Sequence, residues 1–152
     1  MEEAKPIRTL ILDTNVLVSS LIREEGITRA SLAILLHDEN CRISAPADVV
    51  EELRKHAQEI CNKAGITRSL FEDSLNRLLE NVDLAPASAF ENQLHEALRF
   101  VRDDSDAPFA ALALVKSPSI IMTYNKRHFN SRRLSRRRIL VRTPAEAIRE
   151  LD

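Results

Sequence analysis

Two cysteines in 152 residues leave little for a covalent framework to be built from. Cys41 and Cys61 lack CxxC spacing and sit in apolar patterns, so they read as small reduced core residues rather than as a disulfide or a reactive thiol. Nowhere do about 18 apolar residues run together, which excludes a membrane-spanning helix of ordinary length. The opening MEEAKPIRT is acidic and has no apolar segment of signal-peptide type. The expectation is a soluble, cytoplasmic protein that makes no use of a membrane. Aromatic residues are only 4% of the chain, so a base-stacking platform is not evident. Repeats, low-complexity tracts and linkers are also missing. Residues 1–152 therefore read as a single domain, long enough to bury roughly 68 to 70 per cent of its unfolded surface with no disulfide or structural metal.

What is present is a charge asymmetry that the formal net charge of -1 conceals. Residues 1–106 carry 12 Lys and Arg against 20 Asp and Glu, whereas residues 107–145 carry 9 basic residues and no acid. A basic region set against an acidic one points to a polyanionic partner.

The hydrophobic pattern alternates short strands with helices. Residues 7–15, IRTLILDTN, form a buried strand that stops abruptly on Asp13. A short apolar helix follows at 16–22, Gly26 breaks it, and an amphipathic helix spans 28–37. CRISA at 41–45 is the second strand, after which Pro46 starts a helix that Gly65 ends. Residues 68–80 are helical, NVDLA at 81–85 is a short edge strand, and 90–100 is another helix. Pro108 sits in the first turn of a buried helix running to Val115. IIMT at 120–123 and 139–141 are strands joined by a basic loop, and Thr143-Pro144 starts a last helix, 145–151. With few hairpin signals, the pattern argues for an α/β fold: a three-layer α/β/α sandwich on a mainly parallel sheet with right-handed crossovers.

In such a fold, strand ends and helix starts share one edge of the sheet, where ligands collect. Three acidic places then stand at comparable positions: Asp13 at a strand end, Glu51 or Glu52 early in a helix, and Asp103, Asp104 and Asp106 before the buried helix. Each has a structural reading as well: a helix cap for Asp13, a solvated face for the glutamates, a dipole or capping role for the aspartates. Together they form a like-charge cluster that a cation would relieve, and hard oxygen ligands favour Mg²⁺ or Mn²⁺.

The motifs LILDTNVL from Leu10, VVEEL from Val49, DDSDAPFAALAL from Asp103, IIMTYNKRHF from Ile120 and TPAEAIREL from Thr143 resemble, in order and spacing, those of PIN-domain ribonucleases. Within that family the likeness is to the toxin-like proteins related to VapC. The resemblance spans nearly the whole chain and implies a PIN-like fold and a Mg²⁺- or Mn²⁺-dependent endoribonuclease that leaves a 5′-phosphate and a 3′-hydroxyl. It maps the metal-binding acids onto Asp13, Glu52 and Asp106, with Asp103, or else Asp104, as an auxiliary acid. Such acids would hold one or two ions, which would activate and align a water for in-line attack. Thr14 and Asn15 would position the acid and the water, or merely start the helix.

The chain departs from the pattern at the fourth position. Many relatives carry Asp two residues after the strand-ending Thr; here Thr123 is followed by Tyr124 and Asn125. Others carry Asn there and an acid three residues later, where this chain has His128. Asn125 retains hydrogen-bonding capacity toward a water, and His128 has an auxiliary role or is an ordinary loop histidine. Lys126, Arg127, Arg132, Arg133, Arg136, Arg137 and Arg138 are the candidate RNA-backbone contacts, with a solvated face as the alternative.

The leading expectation is thus a cytoplasmic endoribonuclease acting on RNA, the toxin of a type II toxin-antitoxin pair with an antitoxin protein as partner. Apolar surface on the early helices suggests a homodimer or higher homo-oligomer. The alternative is a catalytically weak PIN-like module that binds RNA or protein. A phosphohydrolase using Asp13 as nucleophile ranks below both, because Asn15 stands where that chemistry commonly wants a general acid.

Overall fold

The protein is described here by a computed structural model covering residues 8–22 and 27–151. The break expected at Gly26 and the first residue of the strand expected at 7–15 lie outside those residues. Leu10, Ile11 and Leu12 of β1 (Arg8–Leu12) are fully buried, as a central strand covered on both faces must be. On one side β1 pairs with β2 (Cys41–Pro46), and β2 with β3 (Val82–Ala85). On the other it pairs with β4 (Ser119–Met122), and β4 with β5 (Ile139–Arg142). Every pairing is parallel and the order is β3-β2-β1-β4-β5. This is the sheet of the expected α/β/α sandwich.

Helices α1 (Thr14–Ile22) and α2 (Ile27–Leu36) connect β1 to β2, and α3 (Asp48–Lys55), α4 (Ala57–Ala64) and α5 (Arg68–Leu79) connect β2 to β3. The chain then returns through α6 (Leu94–Ala97) and α7 (Ala107–Val115) to β4, passes α8 (Ser131–Ser135) to β5, and ends in α9 (Pro144–Leu151). Right-handed crossovers put the helices of the outward and return paths on opposite faces. The path reverses between β1 and β4, so the crevice beyond the carboxyl ends of those two strands is where an open parallel sheet holds ligands. Helix α7 packs on β1, β2 and β4. Its Ala107, Phe109, Ala110, Ala111, Leu112 and Ala113 are buried, which explains an apolar composition nearly all round.

Local signals set most boundaries. Gly65, at φ 67° and ψ 35°, caps α4 in the left-handed conformation that a side chain disfavours. The Thr67 hydroxyl caps α5 by accepting from Leu70 N at 3.1 Å. Burying Phe71 and Leu75 of that helix contributes roughly 1.5–3 kcal/mol each. Thr143 and Glu146 form a reciprocal capping box on α9, with Thr143 N donating to Glu146 Oε1 at 2.9 Å and Glu146 N donating to Thr143 Oγ1 at 3.3 Å. Both cysteines are free, and burial pushes the Cys41 thiol up to about 12, which keeps it un-ionised and inert.

Four expectations change. Pro46 ends β2, in register with Ala85 of β3, and the helix starts two residues later at Asp48; proline is tolerated at a strand's end as well as at a helix's start. The helix expected to run to Gly65 divides at His56, whose φ of -99° and ψ of 11° leave the helical basin. The helix expected over 90–100 is a 3₁₀ turn, Glu91–Gln93, the four-residue α6 and a second 3₁₀ turn, Leu98–Phe100, and the buried Phe90 stands before them with its backbone at φ -137°. The basic segment is structured: a 3₁₀ turn, Lys126–His128, leads into α8, where Asn130 Oδ1 accepts from Arg133 N at 3.1 Å.

Candidate functional site

Asp13 follows β1 directly and is 4% exposed, at the reversal point of the sheet. Its main chain continues the β1–β4 pairing, donating to Met122 O at 3.1 Å. That register brings Thr123, the residue after β4, against its side chain. Asp13 Oδ1 accepts from Thr14 N, the first N–H of α1, at 2.7 Å, so one oxygen is engaged at the helix start. Oδ2 accepts from Thr123 Oγ1 at 2.7 Å and from Asn15 Nδ2 at 3.1 Å. Burial pushes the Asp13 carboxyl above the usual carboxylate range, although these three hydrogen bonds and His128 favour the charged form.

Thr123 is fully buried and its hydroxyl is saturated. Besides donating to Asp13, it accepts from Asn125 N at 3.0 Å and from Asn15 Nδ2 at 3.2 Å. Asn15 Oδ1 in turn accepts from Tyr124 N at 3.1 Å. Thr14, Asn15, Thr123 and Asn125 thus belong to one network that holds the carboxylate still.

Asp106 ends a 3₁₀ turn, Asp104–Asp106, just before α7. Its Oδ2 is buried without a hydrogen bond among the described residues, although His128 Nδ1 lies 3.3 Å away. Burial first, and the charge of Asp13 second, raise the Asp106 carboxyl above the usual range, with His128 opposing. Asp103 instead supports its own turn, Oδ1 accepting from Ser105 N at 3.0 Å, and this holds its exposed carboxyl below the usual range.

Glu52 stands on α3 with its side chain 57% exposed, and Oε2 lies 3.7 Å from His56 Nε2. A cavity of about 1390 Å³ is lined by Asp13, Glu52 and Asp106, together with Thr14, Asn15, Asn125 and His128. The three mapped acids therefore share one space. They do not converge on one point: among the described residues no three acidic, histidine or cysteine side chains form a metal-holding group. The charge of Asp13 bears on Asp106, whereas Glu52 remains on the solvent side.

The donor set nevertheless fits a hard divalent cation. Burial raises both the Asp13 and Asp106 carboxyls above the usual range, and Asp106 Oδ2 is buried without a hydrogen bond among the described residues, facing only the His128 ring at 3.3 Å. Asp13, Asp106 and the exposed side chain of Glu52 offer only oxygen, which suits Mg²⁺ or Mn²⁺.

The basic segment divides. Lys126 Nζ is paired with Glu146 at 2.9 Å, Arg137 is paired with Glu96 and lies 5.8 Å over the Phe100 ring, and Arg133 Nη1 donates to Arg99 O at 3.4 Å. Arg127, Arg132, Arg136 and Arg138 are exposed and form no ion pair among the described residues. Five polar cavity residues were absent from the expected set: Ser19, Thr28, Asp48, Ser105 and Tyr124. Asp48 lies four residues before Glu52, a same-face helical spacing that was legible. Thr28 and Tyr124, which share a hydroxyl hydrogen bond at the cavity, are 96 positions apart and carried no such signal.

A family model described as PIN domain matches residues 11–130. No curated protein matches the chain. Among solved structures, a chain from the crystal structure of VapBC2 from Rickettsia felis bound to a DNA fragment from their promoter aligns with a TM-score of 0.59. The alignment covers 88% of this chain and 96% of that one at 16% identity, a likeness of fold. Among the described residues no helix is long and apolar enough to cross a membrane.

Proposed function

The chain belongs to the PIN-domain family, and from this membership and its acidic cavity we propose that it is a divalent-metal-dependent endoribonuclease, the cytoplasmic toxin of a toxin-antitoxin pair. The observation that carries the reading is the pairing of Asp13 with Asp106 at the reversal of the sheet. Both carboxyls are raised by burial, each feels the same histidine, and the buried Oδ2 of Asp106 has no hydrogen bond among the described residues. The bond to the first N–H of α1 accounts for Asp13 Oδ1, but it does not account for a second, half-buried acid raised by the charge of Asp13.

Asp13, Asp106 and Glu52 would hold the cation, with Asp103 supporting the turn that delivers Asp106. A divalent ion bound there supplies Lewis-acid polarisation of the phosphodiester and lowers the pKa of an attacking water. Thr123 and Asn15 orient Asp13 Oδ2, and their donated hydrogen bonds favour its ionised, ligating form. The Asn125 side chain, anchored through its own N–H to Thr123, lines the cavity where a nucleophilic water would be oriented. His128 places a nitrogen beside Asp106 and would share that carboxylate's charge whenever the cation is absent. Exposed Arg127, Arg132, Arg136 and Arg138 would neutralise backbone phosphates. The fold neighbour belongs to a VapBC assembly, which supports an antitoxin as protein partner.

Asn125 in place of a fourth acid and the solvent-side position of Glu52 favour a second reading, a catalytically weak RNA- or protein-binding module. Mn²⁺ titration by calorimetry with cleavage of a single-stranded RNA separates the two. The nuclease reading expects saturable Mn²⁺ binding, Mn²⁺-dependent cleavage, and loss of both in a folded Asp13→Asn variant. Cleavage unchanged by that substitution, or no Mn²⁺ binding at all, removes it.

A further inference from the structure

We propose, resting on the endoribonuclease reading, that a second hollow beside the acidic cavity holds an internucleotide phosphate of the RNA strand being cut. This hollow, of about 480 Å³, is lined by Arg99, Arg102, Lys126 and Arg127 with Phe129 and Asn130, and no acid is among its lining residues. Arg99 and Arg102 lie outside the basic run of residues 126–138 and come to it through tertiary structure. An antiparallel bridge between Val101 and Phe129 joins the two segments. Arg102 N donates to His128 O at 3.0 Å and Asn130 N to Phe100 O at 2.8 Å, which completes the junction.

The 3₁₀ turn Lys126–His128 is the ridge between the two spaces. Asn125 and His128, three residues apart and so on one side of a three-residue turn, line the acidic cavity. Lys126 and Arg127 line the basic hollow. The facing wall repeats the division, with Ser105 and Asp106 on the acidic side and Arg99 and Arg102 on the basic side. A strand lying across this ridge presents one phosphate to the carboxylates and a neighbouring one to the cations.

Charge assigns the roles. Lys126 is neutralised by Glu146, and Glu96, whose charge Arg99 also feels, is paired with Arg137. The excess positive charge in the hollow is therefore carried by three arginines, whose forked guanidinium donors match phosphate oxygens better than a lysine does. The acidic cavity repels RNA until a cation binds, so an adjoining anion site is what anchors the strand in register.

The test is binding of a fluorescent, unstructured 12-nucleotide RNA to the intact protein in EDTA, by anisotropy across a KCl series. Arg99→Ala/Arg102→Ala preserves the backbone hydrogen bonds that shape the hollow, and Arg77→Ala on α5 is the charge control. The double variant is expected to bind roughly tenfold more weakly, with the slope of log K against log salt reduced by about 0.7, one phosphate contact on a single strand. Arg77→Ala is expected to match the parent. Equal affinity and slope in parent and double variant, an equal loss in Arg77→Ala, or no RNA binding by the parent overturns the proposal. Displacement of the RNA by micromolar inorganic phosphate or uridine monophosphate also overturns it, because the hollow is then a free-anion site. Mn²⁺-dependent cleavage measured on the parent keeps the two readings apart: its absence with the slope change intact removes the nuclease and leaves the phosphate site.

Discussion

Thr123 donates its hydroxyl hydrogen to Asp13 Oδ2 at 2.7 Å across 110 positions of sequence. The bond exists because β1 and β4 are neighbours in register, Leu12 opposite Met122, so the next residue of each strand meets the other at the carboxyl end of the sheet. It spends the single proton of a fully buried hydroxyl on a carboxylate, leaving the oxygen to accept from Asn15 and Asn125.

Thr123→Val keeps the shape and removes all three hydrogen bonds. Leaving the Asn125 N–H and one carboxylate oxygen without this partner should destabilise the protein by about 1–3 kcal/mol in urea unfolding. Mn²⁺ affinity should fall by about 10–100-fold, the usual effect of removing a partner that orients a ligand. Thr123→Ser retains the hydroxyl and should recover most of the affinity. A Val variant that binds Mn²⁺ as the parent does would sink the positioning role.

Asp106→Asn should stabilise the metal-free protein at neutral pH while abolishing metal-dependent cleavage. Asp13 and Asp106 both have folded-state pKa values raised above their unfolded values. The folded state therefore holds their protons longer, and the stability they confer is present at acid pH and is lost as pH rises through the raised values. Removing one of the two charges lifts that penalty, by an amount on the order of 1 kcal/mol, the scale of one polar group buried without a hydrogen bond. Thermal melts at pH 5 and pH 8 check this: the advantage of Asp106→Asn should be larger at pH 8. Mn²⁺ at a hundred times its dissociation constant should stabilise the parent by about 2.7 kcal/mol and leave the variant much less affected.

Glu146→Gln tests the opposite sign. Its carboxyl is held down to about 2 by the Thr143 backbone N–H and then by Lys126. A lowered folded pKa means that the stabilisation is present above the unfolded value and disappears as pH falls toward 2. Because the Glu146 side chain is partly open to solvent, 36% exposed, screening discounts the shift and the loss on substitution should be a few tenths to about 1 kcal/mol at pH 7, the scale of a helix cap and a surface ion pair. The difference between parent and variant should vanish near pH 2. A difference that persists there would mean that packing rather than charge sets the effect.

Several features needed nothing beyond the chain itself. The run Leu10, Ile11, Leu12 ending on Asp13 specified a central strand and a buried acid at its end, because continuous apolar character suits only a strand covered on both faces. Gly65, Thr67 and the Thr143 and Glu146 pair acted within a few residues of themselves. Helices were less legible where burial was decided at a distance, as at Phe90, whose side chain is in the core while its backbone, at φ -137°, stays outside the helix that its spacing suggests.

The sequence by itself determined which residue types are available to the cavity: Asp13, Glu52 and Asp106 all line it, and Asn125 and His128 join them. Only the tertiary structure decided how each is used. Seven basic residues between 126 and 138 look equivalent in one dimension, yet Glu146 takes Lys126 and Glu96 takes Arg137, while Arg99 and Arg102 join Lys126 and Arg127 around a separate hollow. Hydrophobic periodicity and capping are local and can be read from neighbours. Ion pairing, orphaned oxygens and the partition of charge depend on which distant acids and hydroxyls the parallel register brings within about 3 Å, the reach of a hydrogen bond.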